Sequence, residues 1–278
     1  MKIEKNTSDK SIIPIHPEED FIGMRKAGTL AAEILDDLYE IIKPGISTED
    51  INSYCNKVIS SKGAKAAPLN YGEIKNFRKP FPKSVCTSVN HVVCHGIPSN
   101  KKILQEGDIL NVDVTVIVDG WHGDSSRMYA TGKVNPKTYE LIKTTYECLM
   151  KSIEILKPGV HLGDIGHVIQ IHAEAKNFSI VRDFCGHGLG QIFHCPPSVL
   201  HFGKKGDGPE LKKGMFFTIE PMINAGDWQV KILKDGWTAV TKDKSLSAQF
   251  EHSVAITDNG AEIFTLSKNG TDFPIKTL

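Results

Sequence analysis

Asp113 and Asp124 stand 124 − 113 = 11 positions apart in the run NVDVTVIVDGWHGD. Asp113 interrupts a stretch in which Leu110, Val112, Val114, Val116 and Val118 occupy alternate positions, the two-residue period of a strand. An isolated carboxylate is costly to bury there. Asp119-Gly120 is a strong two-residue hairpin signal. Taken as the turn, it sets Val118 opposite Trp121, so paired positions sum to 118 + 121 = 239. Thr115 then faces Asp124 and Ser126 faces Asp113. The two aspartates become diagonal neighbours on one face, roughly 7–8 Å apart at the backbone. Like carboxylates that close either share a proton or are neutralised by cations.

The rest of the chain favours cations. MFFTIEPMI places Glu220 at the end of an apolar strand, where Pro221 interrupts the ladder. SAQFEHSVAI places Glu251 in another strand, and CGHGLG sets His187 between glycines. Histidine is the commonest metal ligand, and glycine lets a backbone crowd a site. Four carboxylates carry −4, which two divalent cations balance with a neutral imidazole completing the set. Such an oxygen-rich set suits manganese, iron(II), cobalt or magnesium better than a thiolate-type zinc site. Two ions about 3.5–4 Å apart would activate a bridging water and polarise a carbonyl. His95 in VVCHGIP and His194 in QIFHCPP each end an apolar run beside glycine or proline and are further candidates. His161, His167 and His172 are spaced by six and five in a helical stretch and share no face, and no HExxH occurs. They read as structural or exposed.

These groups need elements to hold them. Leu30, Ile34, Leu38 and Ile41 predict a helix over 24–42, stopped by Lys43-Pro44-Gly45. Thr48 is a plausible N-cap of a second helix running to about Ser61. The plan returns with Ile142, Tyr146, Leu149 and Ile153, then Lys157-Pro158-Gly159. KPGISTEDI and KPGVHLGDI repeat at an offset of 157 − 43 = 114. Leu104, Gly107 and Asp113 repeat as Leu211, Gly214 and Glu220 at 211 − 104 = 107. Two helix–helix–strand units imply an internally duplicated α+β domain around a central antiparallel sheet. The reading is a polar tail over 1–11 and a single catalytic domain over 12–278, with pseudo-twofold halves at about 20–135 and 136–267. Asp113 and Glu220 hold equivalent places, so the carboxylates meet near the pseudo-axis.

The 33 basic and 33 acidic residues balance, which gives no reason to expect nucleic-acid or acidic-membrane binding. No apolar run is long enough to span a bilayer, and the polar start lacks the apolar core of a signal peptide. None of the six cysteines sits in a CxxC pair, so they read as reduced thiols in a cytoplasm.

Taken together, PKSVCTSVNHVVCHGIP, VDVTVIVDGWHGDSSRMY, GHGLGQIFHCPP, MFFTIEPMINAG and SAQFEHSVAIT resemble the type I methionine aminopeptidases, from about His16 to Ser267. The resemblance implies the pita-bread fold and a dinuclear site with Asp113, Asp124, His187, Glu220 and Glu251 as ligands. It implies that His95 bonds the scissile amide nitrogen and that His194 stabilises the carbonyl oxygen as charge develops. Glu220 would also handle the proton while a metal-bound hydroxide attacks the first peptide carbonyl. Tyr71, Cys86, Phe193 and Trp237 match the apolar methionine pocket, and Asn90, Val92 and Ser247 match a monovalent-cation site. Three features depart from the family pattern: a longer link over 72–80, Gln191 in place of an arginine, and Cys195 where an acidic residue is common. The implied activity is removal of the initiator methionine from nascent proteins with a small second residue, in the cytoplasm. Nascent N termini are the implied partners, with the ribosome a candidate docking site and the enzyme a monomer. A proline-specific peptidase of the same fold and a non-catalytic ribosome-associated homologue are the rivals.

Overall fold

The computed structural model describes residues 2–5, 12–72 and 79–275. The 6–11 part of the tail and most of the longer 72–80 link lie outside the described residues. Lys2–Lys5 pairs antiparallel with Ile12–Ile15.

Among the described residues, four helices form two pairs. Helix α1 spans Glu18–Ile41 and α2 spans Thr48–Ser61; α3 spans Pro136–Glu154 and α4 spans Leu162–Glu174. α1 begins six residues before the helix predicted from apolar spacing. Pro17 at the N-cap and Glu18, Glu19 and Asp20 in the first turn explain this, because they suit a helix start without supplying an apolar repeat. The N-cap of α2 is Ser47 rather than Thr48. The Ser47 hydroxyl accepts from the Asp50 N–H at 3.1 Å, and the Asp50 carboxylate accepts from the Ser47 N–H at 2.9 Å. This reciprocal cap is typically worth about 1 kcal/mol.

The repeat seen in the sequence is a repeat of hydrogen bonds. Gly45 and Gly159 have φ of 94° and 92°, a region open to glycine at no steric cost. The Gly45 N–H donates to Leu104 O at 2.8 Å and the Gly159 N–H to Leu211 O at 3.1 Å. Asp164 accepts from the His161 N–H at 2.9 Å, as Asp50 does from Ser47. The Thr131 N–H donates to Asp108 O at 2.9 Å, and its counterpart Ile256 donates to Met215 O at 3.0 Å.

Each half lays its helices on antiparallel strands. In the first half Ile109–Val118 is central. Trp121–Ala130 pairs along one edge, and Cys86–Val89 and Lys65–Ala66 pair along the other. Ile34, Leu35 and Leu38 of α1 and Ile51, Cys55 and Ile59 of α2 bury against Leu110, Val112, Val114 and Val116. The strand's even positions are therefore core, which turns its odd positions, Asp113 among them, to the other face. In the second half the sheet order is Cys195–Val199, Gly186–Gly188, Phe216–Ile219, His252–Ile256, Ala261–Ile263. α3 and α4 cover it through Leu141, Leu149, Ile165 and Ile169 against Phe217, Ile219 and Val254.

A buried ion pair fixes α1 to the strand carrying Asp124. Arg127, 1% exposed, donates to Asp36 of α1 and lies 3.3 Å from the Asp272 carboxylate; the Thr271 hydroxyl also donates to Asp36, at 2.7 Å. Removing one member strands a buried charge. Arg127→Leu should lose about 3–5 kcal/mol in denaturant unfolding; a loss below about 1 kcal/mol would show the pair to be solvated or dispensable.

Candidate metal centre and its cavity

The hairpin register places the first two carboxylates. Val118 opposes Trp121, Thr115 opposes Asp124 and Asp113 opposes Ser126, so paired positions sum to 239. The turn residues Asp119 and Gly120 both take positive φ, 49° and 88°, as a type I′ turn demands.

Glu251 arrives from the other half. It sits in a break between Ser247–Gln249 and His252–Ile256 rather than inside a continuous strand, and bridges antiparallel to Ser126. The Glu251 N–H donates to Ser126 O at 3.0 Å, and the Ser125 hydroxyl donates to Glu251 O at 2.7 Å. The Ser253 hydroxyl donates to Asp124 O at 2.6 Å. One backbone bond and two serine hydroxyls thus stitch the two halves together where the carboxylates meet.

His187 lies on a short strand, Gly186–Gly188, not in a loop. A Cβ at Gly186 would meet Thr218 O at 2.3 Å, and one at Gly188 would meet Pro196 O at 2.2 Å. Glycine on either side is what lets neighbouring strands approach. The His187 N–H donates to the Thr218 hydroxyl at 3.0 Å, and that hydroxyl donates to Glu220 Oε1 at 2.9 Å. Glu220 directly follows Phe216–Ile219, ahead of Pro221.

Asp124, His187 and Glu251 each offer a ligand atom, all within 4.8 Å of one another. His187 Nε2 is 3.5 Å from Asp124 Oδ2 and 3.7 Å from Glu220 Oε1. Burial, then the charge of Asp124, holds the Asp113 carboxyl well above its ordinary range. The same causes raise Glu251, and burial raises Glu220 to about 7. Burial opposes a cation at His187, but the Asp124 hydrogen bond and the Glu220 charge outweigh it and raise the ring to about 9. Without cations the cluster therefore keeps protons on Asp113 and Glu251, and it is cations that would let all four carboxylates ionise. This donor set, acidic, convergent and withdrawn from water, fits divalent ions.

The cluster forms the floor of a cavity of about 670 Å³ whose walls include Tyr71, Phe81, Cys86, Phe184, Phe193 and Trp237. All four pocket residues expected from the sequence are there. Phe81 and Phe184 were not anticipated; Phe81 packs edge-on to Trp237 at 5.4 Å, and nothing in the spacing marks either as cavity rather than core. His95 and His194 line the same cavity. His95 takes φ of 55° at the end of Val92–Cys94 and lies edge-on to Phe184 at 5.4 Å. His194 packs against Phe193 at 4.0 Å and His187 at 4.1 Å, with one edge open to solvent. Burial and the adjacent His187 cation hold its pKa below the ordinary 6.5. The two histidines obey the internal repeat: 194 − 95 = 99, and the prolines three positions on, Pro98 and Pro197, differ by the same 99.

Supporting residues also escaped sequence reasoning. The Thr115 hydroxyl donates to Asp124 Oδ1 at 2.6 Å, the Gln249 amide to Glu220 Oε2 at 3.2 Å, and the Glu220 N–H to His201 Nε2 at 3.1 Å. His201 is fully buried and burial pushes it down to about 3, so it is a neutral acceptor. His161, His167 and His172 lie at or on α4 outside the cavity, and His172 pairs with Glu147 at 2.8 Å.

The family model for metallopeptidase family M24 matches residues 22–258. The chain belongs to that family. As an M24 metallopeptidase it is 56% identical over 263 residues to the methionine aminopeptidase of Rickettsia prowazekii, covering 94% of this chain and 98% of the relative. It is 48% identical to the Escherichia coli K12 methionine aminopeptidase over 93% of this chain and 96% of that one. Superposed on the crystal structure of the Rickettsia methionine aminopeptidase, it gives a TM-score of 0.88 over 91% of this chain and all of that one. The Thermotoga maritima methionine aminopeptidase gives 0.87 at 39% identity, over 91% of this chain and 99% of that one. The prolidase of Pyrococcus furiosus, 20% identical with a TM-score of 0.72 over 91% of this chain and 66% of that one, shares the fold. No described helix of this M24 chain is long and apolar enough to cross a membrane.

The raised carboxyls fix the sign of a pH effect in metal-free protein. A carboxyl whose folded pKa lies above its unfolded value contributes stability below the unfolded value and loses it as pH rises through the folded one. Glu220, ordinarily 4.5 and raised to about 7, contributes in this sense, and Asp113 and Glu251 push the same way. His201 and His252, pushed down to about 3 by burial, act with the opposite sign as pH rises through 6.5. The carboxyl contribution is therefore read as a difference: the melting temperature of chelated protein should fall more steeply from about pH 5 to 8 than that of chelated Glu220→Gln, and parallel profiles would contradict this.

Proposed function

We propose that this metallopeptidase is a methionine aminopeptidase that removes the initiator methionine from nascent proteins with a small second residue. The observation that carries the proposal is the meeting of Asp113, Asp124, His187, Glu220 and Glu251 in one cavity with aromatic walls. Relatives at 48–56% identity over nearly their whole length support it. The proline-specific neighbours share the fold at about 20% identity, which speaks for no shared substrate.

In this reading Asp113, Asp124, His187, Glu220 and Glu251 hold two divalent ions, of manganese, iron(II) or cobalt type. When bound, these ions supply Lewis-acid polarisation and a water acidified toward neutrality. The residues do the rest. Tyr71, Cys86, Phe193 and Trp237 receive the flexible thioether and exclude water around it. His95 accepts a hydrogen bond from the scissile amide N–H. His194, neutral, donates to the carbonyl oxygen as it gains negative charge. Glu220, held by Thr218 and Gln249, takes the proton of the attacking water and returns it to the leaving amine.

A monovalent cation at Asn90, Val92 and Ser247 would brace the strand beside the centre. Ser247 Oγ is buried with no protein partner, and the Ser247 N–H donates to Asn90 O at 2.9 Å. The enzyme would act as a monomer in the cytoplasm on chains emerging from the ribosome.

Manganese-loaded protein should release methionine from Met-Ala-Ser and leave Xaa-Pro dipeptides intact, with EDTA abolishing release and Mn²⁺ restoring it. Asp113→Ala should remove activity and ion binding together. His194→Ala should lower kcat by roughly 10²–10³-fold with little change in KM. Cleavage of Xaa-Pro in preference to Met-Ala, or full activity in Asp113→Ala, would overturn the assignment.

A further inference from the structure

His122 stands two positions before Asp124 on Trp121–Ala130, so the two side chains share a strand face. It is buried, yet it does not line the cavity. Its ring lies nearly parallel to that of Phe193, at 10° with centroids 5.4 Å apart. Phe193 does line the cavity, where it also meets Tyr71 at 5.0 Å and His194 at 4.0 Å. His122 therefore packs behind the aromatic wall. A second contact holds the same segment. The Gly190 carbonyl accepts from the His122 backbone N–H at 2.9 Å and from the ring Nδ1–H at 2.9 Å. A carbonyl only accepts, so Nδ1 carries the proton. Gly190 opens the stretch 190–194, which forms neither helix nor strand and carries both Phe193 and His194. The strand beneath is itself pressed against α1, where a Cβ at Gly123 would meet Ala27 C and O at 2.2 Å.

We propose that His122 is a positioning residue that sets the width of the methionine pocket, its ring being the stop against which Phe193 rests. This step rests on the function proposed above and concerns the specificity of the same site. His122 acts through Phe193 rather than on the substrate. A wall backed by a close-packed ring on a pinned strand does not retreat before a wider side chain. Removing the ring leaves a void into which the surrounding groups relax in part. Phe193 then yields to side chains that the unaltered pocket refuses, and the preference for methionine narrows.

Two variants separate the ring from the hydrogen bond. His122→Phe keeps a flat ring and loses the Nδ1–H, whereas His122→Asn keeps a donor for Gly190 O and loses the ring face. On manganese-loaded enzyme, kcat/KM is measured for Met-Ala-Ser and Phe-Ala-Ser. His122→Asn should narrow the preference for methionine by about tenfold, with KM for Met-Ala-Ser rising and kcat held within about twofold. His122→Phe should keep the preference of the unaltered enzyme. An unchanged preference in His122→Asn, equal slowing of both peptides by it, or a preference lost in His122→Phe would overturn the role of the ring. Should His122→Asn not fold, His122→Phe decides alone: preference kept supports the stop, and preference lost removes it. An unaltered enzyme that cleaved Xaa-Pro and not Met-Ala-Ser would remove the aminopeptidase reading and the stop with it. A methionine-selective enzyme whose preference ignored both variants would remove the stop alone.

Discussion

Mutual repulsion among four carboxylates is the constraint around which this fold is arranged. Asp113, Asp124, Glu220 and Glu251 converge in a site largely closed to water, with one imidazole between them. Folding alone would select against that arrangement, since each acid could be a valine or a threonine at lower cost. The arrangement fits cations that would complete the charge of the cluster, and the surrounding bonds hold the acids in place. Thr115, Thr218 and Gln249 each occupy one carboxylate oxygen with a directed donor, which fixes rotamers without neutralising charge.

Duplication is what makes the convergence possible. Each half supplies a helix pair on antiparallel strands, and the halves meet at the Ser126–Glu251 bridge. Asp113 and Glu220 are repeat partners, and so are His95 and His194. One ancestral geometry therefore provides both the acidic floor and the pair of histidines beside it. The halves have diverged where chemistry needs asymmetry: Glu251 occupies the position equivalent to Ser126, since 251 − 126 = 125 matches 256 − 131 = 125 in the paired hydrogen bonds. The aromatic wall belongs to neither half alone, with Phe81 from the first and Phe184 and Trp237 from the second.

Much of this was legible in the sequence because it rests on local rules. The Asp119-Gly120 turn fixes register, and register fixes which acids share a face; the valines at even positions leave Asp113 no other orientation. The repeated KPG marked two helix stops, each closed by a glycine at positive φ. What was not legible is non-local. Glu251 sits in a break in its strand because the other half bonds to it there, and no pattern within SAQFEHSVAI announces that. Nothing in the sequence marks His187 as a strand residue, because its strand is three residues long and its neighbours are glycines, which carry no strand propensity. His201 holds the Glu220 backbone from a segment with no motif of its own.

The most direct test of the charge argument is anomalous scattering from crystals of the manganese-loaded protein. Two manganese peaks enclosed by Asp113, Asp124, His187, Glu220 and Glu251 are the result expected. Peaks elsewhere on the surface, with the five side chains holding no ion, would contradict the account.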